Sequence, residues 1–129
     1  MPKLVKKTSN RPSDDFMPNT LRIGSIIADF KAKDIKAYDV RGLTLVADAF
    51  VLCTATSEPQ FRAVINGVRS QMRDIGVKPL NVEGAVHGGW TILDYSTIIV
   101  HVFREEARTF YDLDGLWADA PEIELDLEP

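Results

Sequence analysis

The stretch Glu83 to Phe103 reads EGAVHGGWTILDYSTIIVHVF. It opens on a Gly-rich, ring-bearing loop around Gly84, His87, Gly88, Gly89 and Trp90. Two apolar runs follow, Thr91-Ile92-Leu93 and Ile98 to Phe103, with Asp94-Tyr95-Ser96-Thr97 between them. β-Branched residues bounded by a short polar connection predict a β-hairpin. A two-residue turn at Tyr95-Ser96 pairs Asp94 with Thr97 and sets Trp90 opposite His101. A turn longer by one residue sets Trp90 opposite Val102. Side chains alternate across a strand, so the first register places Trp90, Ile92, Asp94, Ile99 and His101 on one face. The Trp end of this hairpin is expected to be the working surface.

Upstream, Lys78-Pro79 leads into a short strand, Leu80 to Glu83. Before it lies the strongest local signal in the chain. Ser57 and Gln60 have capping-box spacing, and Pro59 falls in the first turn, where its missing N–H costs nothing. Phe61, Val64, Ile65, Val68, Met72 and Ile75 then recur at helical spacing until Gly76 stops the helix. Two strands are expected before that helix, Tyr38–Val46, interrupted by Arg41-Gly42, and Ala49–Thr54, with Asp48 turning between them. Further back, Asn19-Thr20 can cap a helix whose stripe is Leu21, Ile23, Ile26, Ile27 and Phe30. Lys31, Lys33 and Lys36 suit the negative end of its dipole. Downstream of the hairpin, Arg104–Leu113 reads as a short helix with Glu105 and Glu106 at its start. Phe110, Tyr111, Leu113, Leu116 and Trp117 are expected to fold this segment back onto the sheet.

The order α-β-β-α-β-β-β-α predicts a mixed α/β (α+β) domain with a single mixed β-sheet flanked by helices. Residues 1–18 read as a flexible basic tail, with Lys3, Lys6, Lys7 and Arg11 among three prolines. Residues 19–118 form the domain. In residues 119–129, Glu122, Glu124, Asp126 and Glu128 alternate with Ile123, Leu125 and Leu127; this is an acidic tail or an extra edge strand, and the tail is favoured.

Composition narrows the function classes. The chain has 129 residues, 45% of them hydrophobic, which suffices for one core. No run approaches a membrane helix, and the start lacks the apolar segment of a secretory signal. The single cysteine, Cys53, cannot form an internal disulfide, which fits a cytoplasmic location. A net charge of −4 argues against gripping a long phosphate backbone, so nucleic-acid contact is at most secondary. The arginine row Arg62, Arg69 and Arg73 reads first as a solvated helix face.

Candidate chemistry is thin. Cys53 and His101 could form a Cys/His pair, but Cys53 lies in an apolar strand where a buried thiol is ordinary, and no third orienting group is identifiable. His87, His101 and Asp94 lack the spacing of a metal motif. Gly88-Gly89 belongs to neither a P-loop nor a dinucleotide fingerprint. Two-metal nucleotidyl transfer needs clustered carboxylates, and Asp94 is followed by Tyr95 and Ser96. No cofactor and no enzymatic activity are expected. Trp90 is either a large rigid interface anchor or a cap on the core.

These residues together resemble a known family. Asp34-Ile35, Arg41-Gly42-Leu43, Asp48 to Ser57 and Gln60 are similar to the N-terminal half of the ribosomal silencing factor (Iojap) family. Gly76, Pro79, Glu83-Gly84, Trp90, Leu93-Asp94-Tyr95, Val100 to Phe103, Glu105 or Glu106, Arg108, Tyr111-Asp112-Leu113 and Leu116-Trp117 continue the resemblance in order, over about Leu21 to Ala120. Ala55 departs from it, standing where the family usually has Gly. The resemblance implies a non-enzymatic factor with a nucleotidyltransferase-like fold that lacks the catalytic acids. It implies docking on the large ribosomal subunit through ribosomal protein fourteen, steric blocking of small-subunit joining and repression of translation under nutrient limitation. The alternatives are a large-subunit assembly factor or a nucleotidyltransferase-like enzyme, and a homodimer is also implied. The expected partner surface is Trp90 with Leu80, Val82, Glu83, Gly84, His87, Asp94 and Tyr95 around it.

Overall fold

The computed structural model describes residues 15–84 and 86–127. Its elements run α1 (Phe16–Asp29), β1 (Lys33–Asp39), β2 (Ala49–Ala55), α2 (Glu58–Asp74), β3 (Asn81–Glu83), a 3-10 turn (Val86–Gly88), β4 (Trp90–Asp94), β5 (Ile98–Arg104), α3 (Glu105–Tyr111) and α4 (Leu113–Leu116). The strands form one mixed sheet in the order β1-β2-β5-β4-β3. Only the central pair, β2 with β5, is parallel; every other neighbour is antiparallel. This is the mixed sheet flanked by helices that the element order predicts.

All seven residues of β2 are buried, and so are the first six of β5. Strands of that kind need cover on both faces. One face carries Val51, Cys53, Val100, Val102 and Leu93 under α1 and α2. The other carries Phe50, Leu52, Ile99, Phe103, Ile92 and Trp90 under α3, α4 and the turn after them. Phe61, Val64, Val68 and Met72 of α2 are the residues that sink into the first face, as their spacing requires.

The start of α2 is fixed by its cap. Ser57 Oγ accepts from the Gln60 N–H at 3.2 Å. Gln60 Oε1 reaches back to the Thr56 N–H at 2.7 Å, one residue upstream of the cap itself. Its Nε2 donates to the carbonyls of Phe30 and Lys31, tying α2 to the end of α1.

Three elements differ from those expected. α1 begins at Phe16, so Asn19 and Thr20 are internal; Phe16 is 2% exposed, and the Thr20 hydroxyl donates to the Phe16 carbonyl. Pro18 is accommodated because it lies in the first turn. β1 spans Lys33–Asp39 rather than Tyr38–Val46, with Asp34 at φ 52 marking an irregularity between Lys33 and Lys36. Lys33 and Lys36 therefore lie on the strand, paired with Glu105 and Glu122, rather than on the helix end. The helix expected over Arg104–Leu113 is two helices, broken at Asp112, which adopts φ 48 and caps α4 by accepting from the Gly115 N–H.

The acidic ending is not a frayed tail over its described length. Asp39 N–H donates to the Pro121 carbonyl at 2.8 Å, and Ile123 N–H to the Ala37 carbonyl at 2.7 Å. Glu122 bridges Tyr38, and Ile123 is 8% exposed. The alternation of acid and aliphatic residues is a short edge cover on β1, acids outward and Ile123 inward. Replacing Ile123 with Ala should lower stability to urea by about 2 kcal/mol, the low end for truncating a buried aliphatic. An unchanged midpoint would return this segment to the status of a tail.

Candidate functional site

The hairpin turns at Ser96-Thr97, with the Tyr95 N–H donating to the Ile98 carbonyl. Asp94 Oδ1 accepts from the Ser96 N–H at 2.8 Å, and Ser96 takes φ 72. That Asx-type turn moves the register past both expected alternatives: Trp90 pairs with Phe103, Ile92 with His101 and Asp94 with Ile99. The slip is two residues from the first expectation, so the faces are kept. Trp90, Ile92, Ile99 and His101 share one side, joined by Phe103.

Trp90 is 5% exposed. Its ring stacks on Phe103 at 5.1 Å between centroids and lies 4.6 Å from Tyr111. Its indole N–H donates to His101 Nδ1 at 3.2 Å. An indole nitrogen can only donate, so Nδ1 accepts and the His101 proton sits on Nε2. Nε2 is buried without a partner, and Phe50 meets the imidazole ring edge-on at 5.0 Å. Burial, with a smaller contribution from the Arg108 charge, pushes the imidazole down to about 3. Of the two readings of Trp90, the core cap holds; an exposed anchor it is not.

The other expected surface residues divide. Leu80 is 74% exposed beside Asn81–Glu83, and its N–H donates to the Asp94 carbonyl. Gly84 and His87 are exposed, while Val82, Glu83 and Asp94 are half-buried. Tyr95 points the other way, into the core under α2, with its hydroxyl buried and unpartnered. His87 lies near Glu58 at the start of α2. The rim is therefore Leu80, Val82, Glu83, Gly84, His87 and Asp94; Val82 packs toward the α1/α2 face, and Trp90 is buried on the other face of the sheet. Gly84 holds the rim close: at φ 105, a Cβ would lie 2.2 Å from the Trp90 carbonyl oxygen. The Gly88-Gly89 pair is asymmetric. Gly89 turns the chain at φ 70 against Ala107 and Arg104, whereas Gly88 faces open space.

The candidate nucleophilic pair is taken apart by the sheet. Cys53 faces α2 and His101 faces α3, so their side chains lie on opposite faces. Burial pushes the Cys53 thiol up to about 12. Among the described residues, no group of three or more His, Cys, Asp or Glu could hold a metal.

Sequence reasoning missed a polar network on the α3 face. Arg108 donates from Nε and Nη2 to the two Asp114 oxygens at 2.6 and 2.9 Å, and from Nη1 to Thr54 Oγ1 at 2.9 Å. Tyr38 Oη donates to Asp114 Oδ2 at 2.9 Å. The Arg108 bonds hold the Asp114 carboxyl below the usual carboxylate range, and burial with the Asp114 bond pushes the Tyr38 hydroxyl up to about 12. Arg108 and Asp114 lie on different helices, so only the break at Asp112 and the fold around it bring them together with Thr54 and Tyr38.

Fold and rim define a small mixed α/β domain whose described ionisable clusters fasten the structure and whose rim beside β3 carries the exposed Leu80. The family model described as ribosomal silencing factor during starvation matches residues 15–129, and the chain belongs to that family. The ribosomal silencing factor RsfS of Bacillus subtilis is 36% identical over 107 residues, covering 82% of this chain and 91% of the relative. The chloroplastic protein Iojap of Arabidopsis thaliana is 34% identical over 132 residues, covering 96% of this chain but 52% of that longer protein. A crystal structure from Bacillus halodurans superposes with a TM-score of 0.72 at 28% identity, covering 84% of this chain and 99% of that one. These names point to a ribosome-associated regulatory factor. No helix among the described residues is long and apolar enough to cross a membrane.

Two outcomes follow for stability. Gly84→Ala should cost about 2 kcal/mol or more in urea unfolding, since it adds backbone strain to a clash with the Trp90 carbonyl. His101 stays neutral in the folded state while the unfolded imidazole takes up a proton below about pH 6.5, so acid destabilises the fold through this group. Between pH 7 and 5.5 the His101 contribution should fall by about 1 kcal/mol, a difference that His101→Gln removes. Equal slopes for the two proteins would contradict a buried neutral imidazole.

Proposed function

We propose that this protein docks on the large ribosomal subunit through ribosomal protein fourteen and blocks small-subunit joining by occupying the face where the subunits meet. Family membership across residues 15–129 is the observation that supports this most strongly. The physics of the domain agrees. Blocking association requires occupancy rather than turnover, and a standard interface of roughly 1,600 Å² in total lies within reach of one face. In this reading the rim around β3 is the contact surface, with Leu80 as its exposed apolar centre. Glu83 and Asp94 face basic groups of the partner and guide encounter and orientation more than affinity. Trp90 acts only indirectly, as a buried ring on β4, the strand that pairs with β3. The consequence is repression of translation in the cytoplasm when nutrients run short.

Sedimentation of purified subunits with the protein tests this reading. Wild type should comigrate with the large subunit and lower the joined-ribosome peak, and Leu80→Ser should weaken comigration by about 2 kcal/mol if Leu80 is central. Comigration without loss of joining would favour a role in large-subunit assembly. Absence of comigration would overturn the proposal.

A further inference from the structure

Phe110 and Leu116 were expected to pack on the sheet, yet they are 81% and 72% exposed. Phe110 is not a loose side chain. Its ring meets Tyr111 edge-on at 5.0 Å, Tyr111 lies 4.6 Å from Trp90, and Trp90 stacks on Phe103 at 5.1 Å. A ladder of rings thus runs from the core to the surface and ends on an exposed phenyl group. Rings held in this way lose little conformational freedom on binding, which is the property of an interface anchor. The aromatic anchor sought at Trp90 lies at the outer end of the same ladder.

The charge around this corner is one-sided. From Glu105 to Asp119 the chain carries five carboxylates and one base, Arg108. Arg108 is consumed by Asp114 and Thr54, and Glu105 by Lys33. Glu106, Asp112 and Asp119 are exposed without an ion pair among the described residues. We infer that the corner between α3 and α4 is a second docking surface, in which Phe110 and Leu116 receive a cationic segment of a protein on the large subunit. The occupant offers an apolar side chain to the two exposed residues and lysine or arginine to the carboxylates. Like charge turns away a phosphate backbone at the same place, so the occupant is protein rather than RNA. This inference rests on the ribosome-docking reading and adds to it a surface separate from the β3 rim.

The test is a sedimentation titration against purified large subunits, with naked ribosomal RNA as a parallel probe. Phe110→Ser should weaken binding by about thirtyfold, the scale of a hot-spot truncation, whereas Phe110→Tyr should stay close to wild type. Glu106→Lys should weaken binding most at low salt, because screening erases an exposed charge contact. Leu43→Ser, at an exposed apolar residue in the β1–β2 connection, is the control and should bind as wild type does. Unfolding midpoints of these four variants should match wild type, since all three positions are exposed. Wild-type binding with equal binding by Phe110→Ser would overturn this inference alone. Tight wild-type binding to naked RNA that Phe110→Ser abolishes would overturn the protein occupant. Failure of wild type to bind large subunits would overturn both this inference and the docking reading.

Discussion

The parallel pairing of β2 with β5 is the constraint on which the molecule depends. Seven residues from Ala49 to Ala55 run beside Ile98 to Arg104, and every one of them but Arg104 is buried, so neither strand has a polar side to give to water. A sheet centre of that kind must be covered twice, and the chain does so with helices of different character. α1 and α2 supply aliphatic stripes to one face. The other face is covered by two short helices that contribute few aliphatic residues, so it is secured by rings and by one polar network. Thr54, the polar residue of β2, meets Arg108, which is held by Asp114, which in turn accepts from Tyr38. Breaking any member leaves a charge or a hydroxyl buried without its partner, which costs more than the bond itself contributes.

Trp90 and His101 belong to the same logic. They are buried polar rings of the second face, and one hydrogen bond satisfies the indole N–H and the imidazole Nδ1. The imidazole remains neutral because its surroundings are apolar, and its second nitrogen is left without a partner. These groups look like chemistry in the sequence, and in the fold they are structure. Outward, the molecule presents the rim beside β3 and the α3–α4 corner, and the corner is tied to the second face through the Trp90–Tyr111 contact.

Much of this was legible in the residues. β-Branched alternation located β4 and β5, and because face membership depends on parity, the two-residue slip in register left it intact. The Ser57–Gln60 cap and the stripe from Phe61 to Met72 placed α2. What failed has physical reasons. The Asp94 side chain moves the two-residue turn one position along, to Ser96-Thr97, which strand periodicity does not reveal. β1 differs from expectation because Asp34 breaks its alternation and Lys33 and Lys36 mask its apolar side. The acidic ending read as a tail because half its residues are charged, although its other half fits the edge of β1. Trp90 could be read as anchor or cap, and only the position of Tyr111 over it decides between them. Leu80 is legible as a rim residue from its place at the start of the expected strand Leu80–Glu83, whereas the exposure of Phe110 could not be read from its helical neighbours.

An occupancy mechanism makes a demand that turnover does not: inhibition must track the fraction of large subunits carrying the protein. Light scattering during the mixing of purified subunits measures this directly. Large subunits preincubated with increasing protein should fail to join in proportion to their occupancy, with the effect complete at saturation and no further change over time. Normal joining by large subunits saturated with the protein would contradict the account.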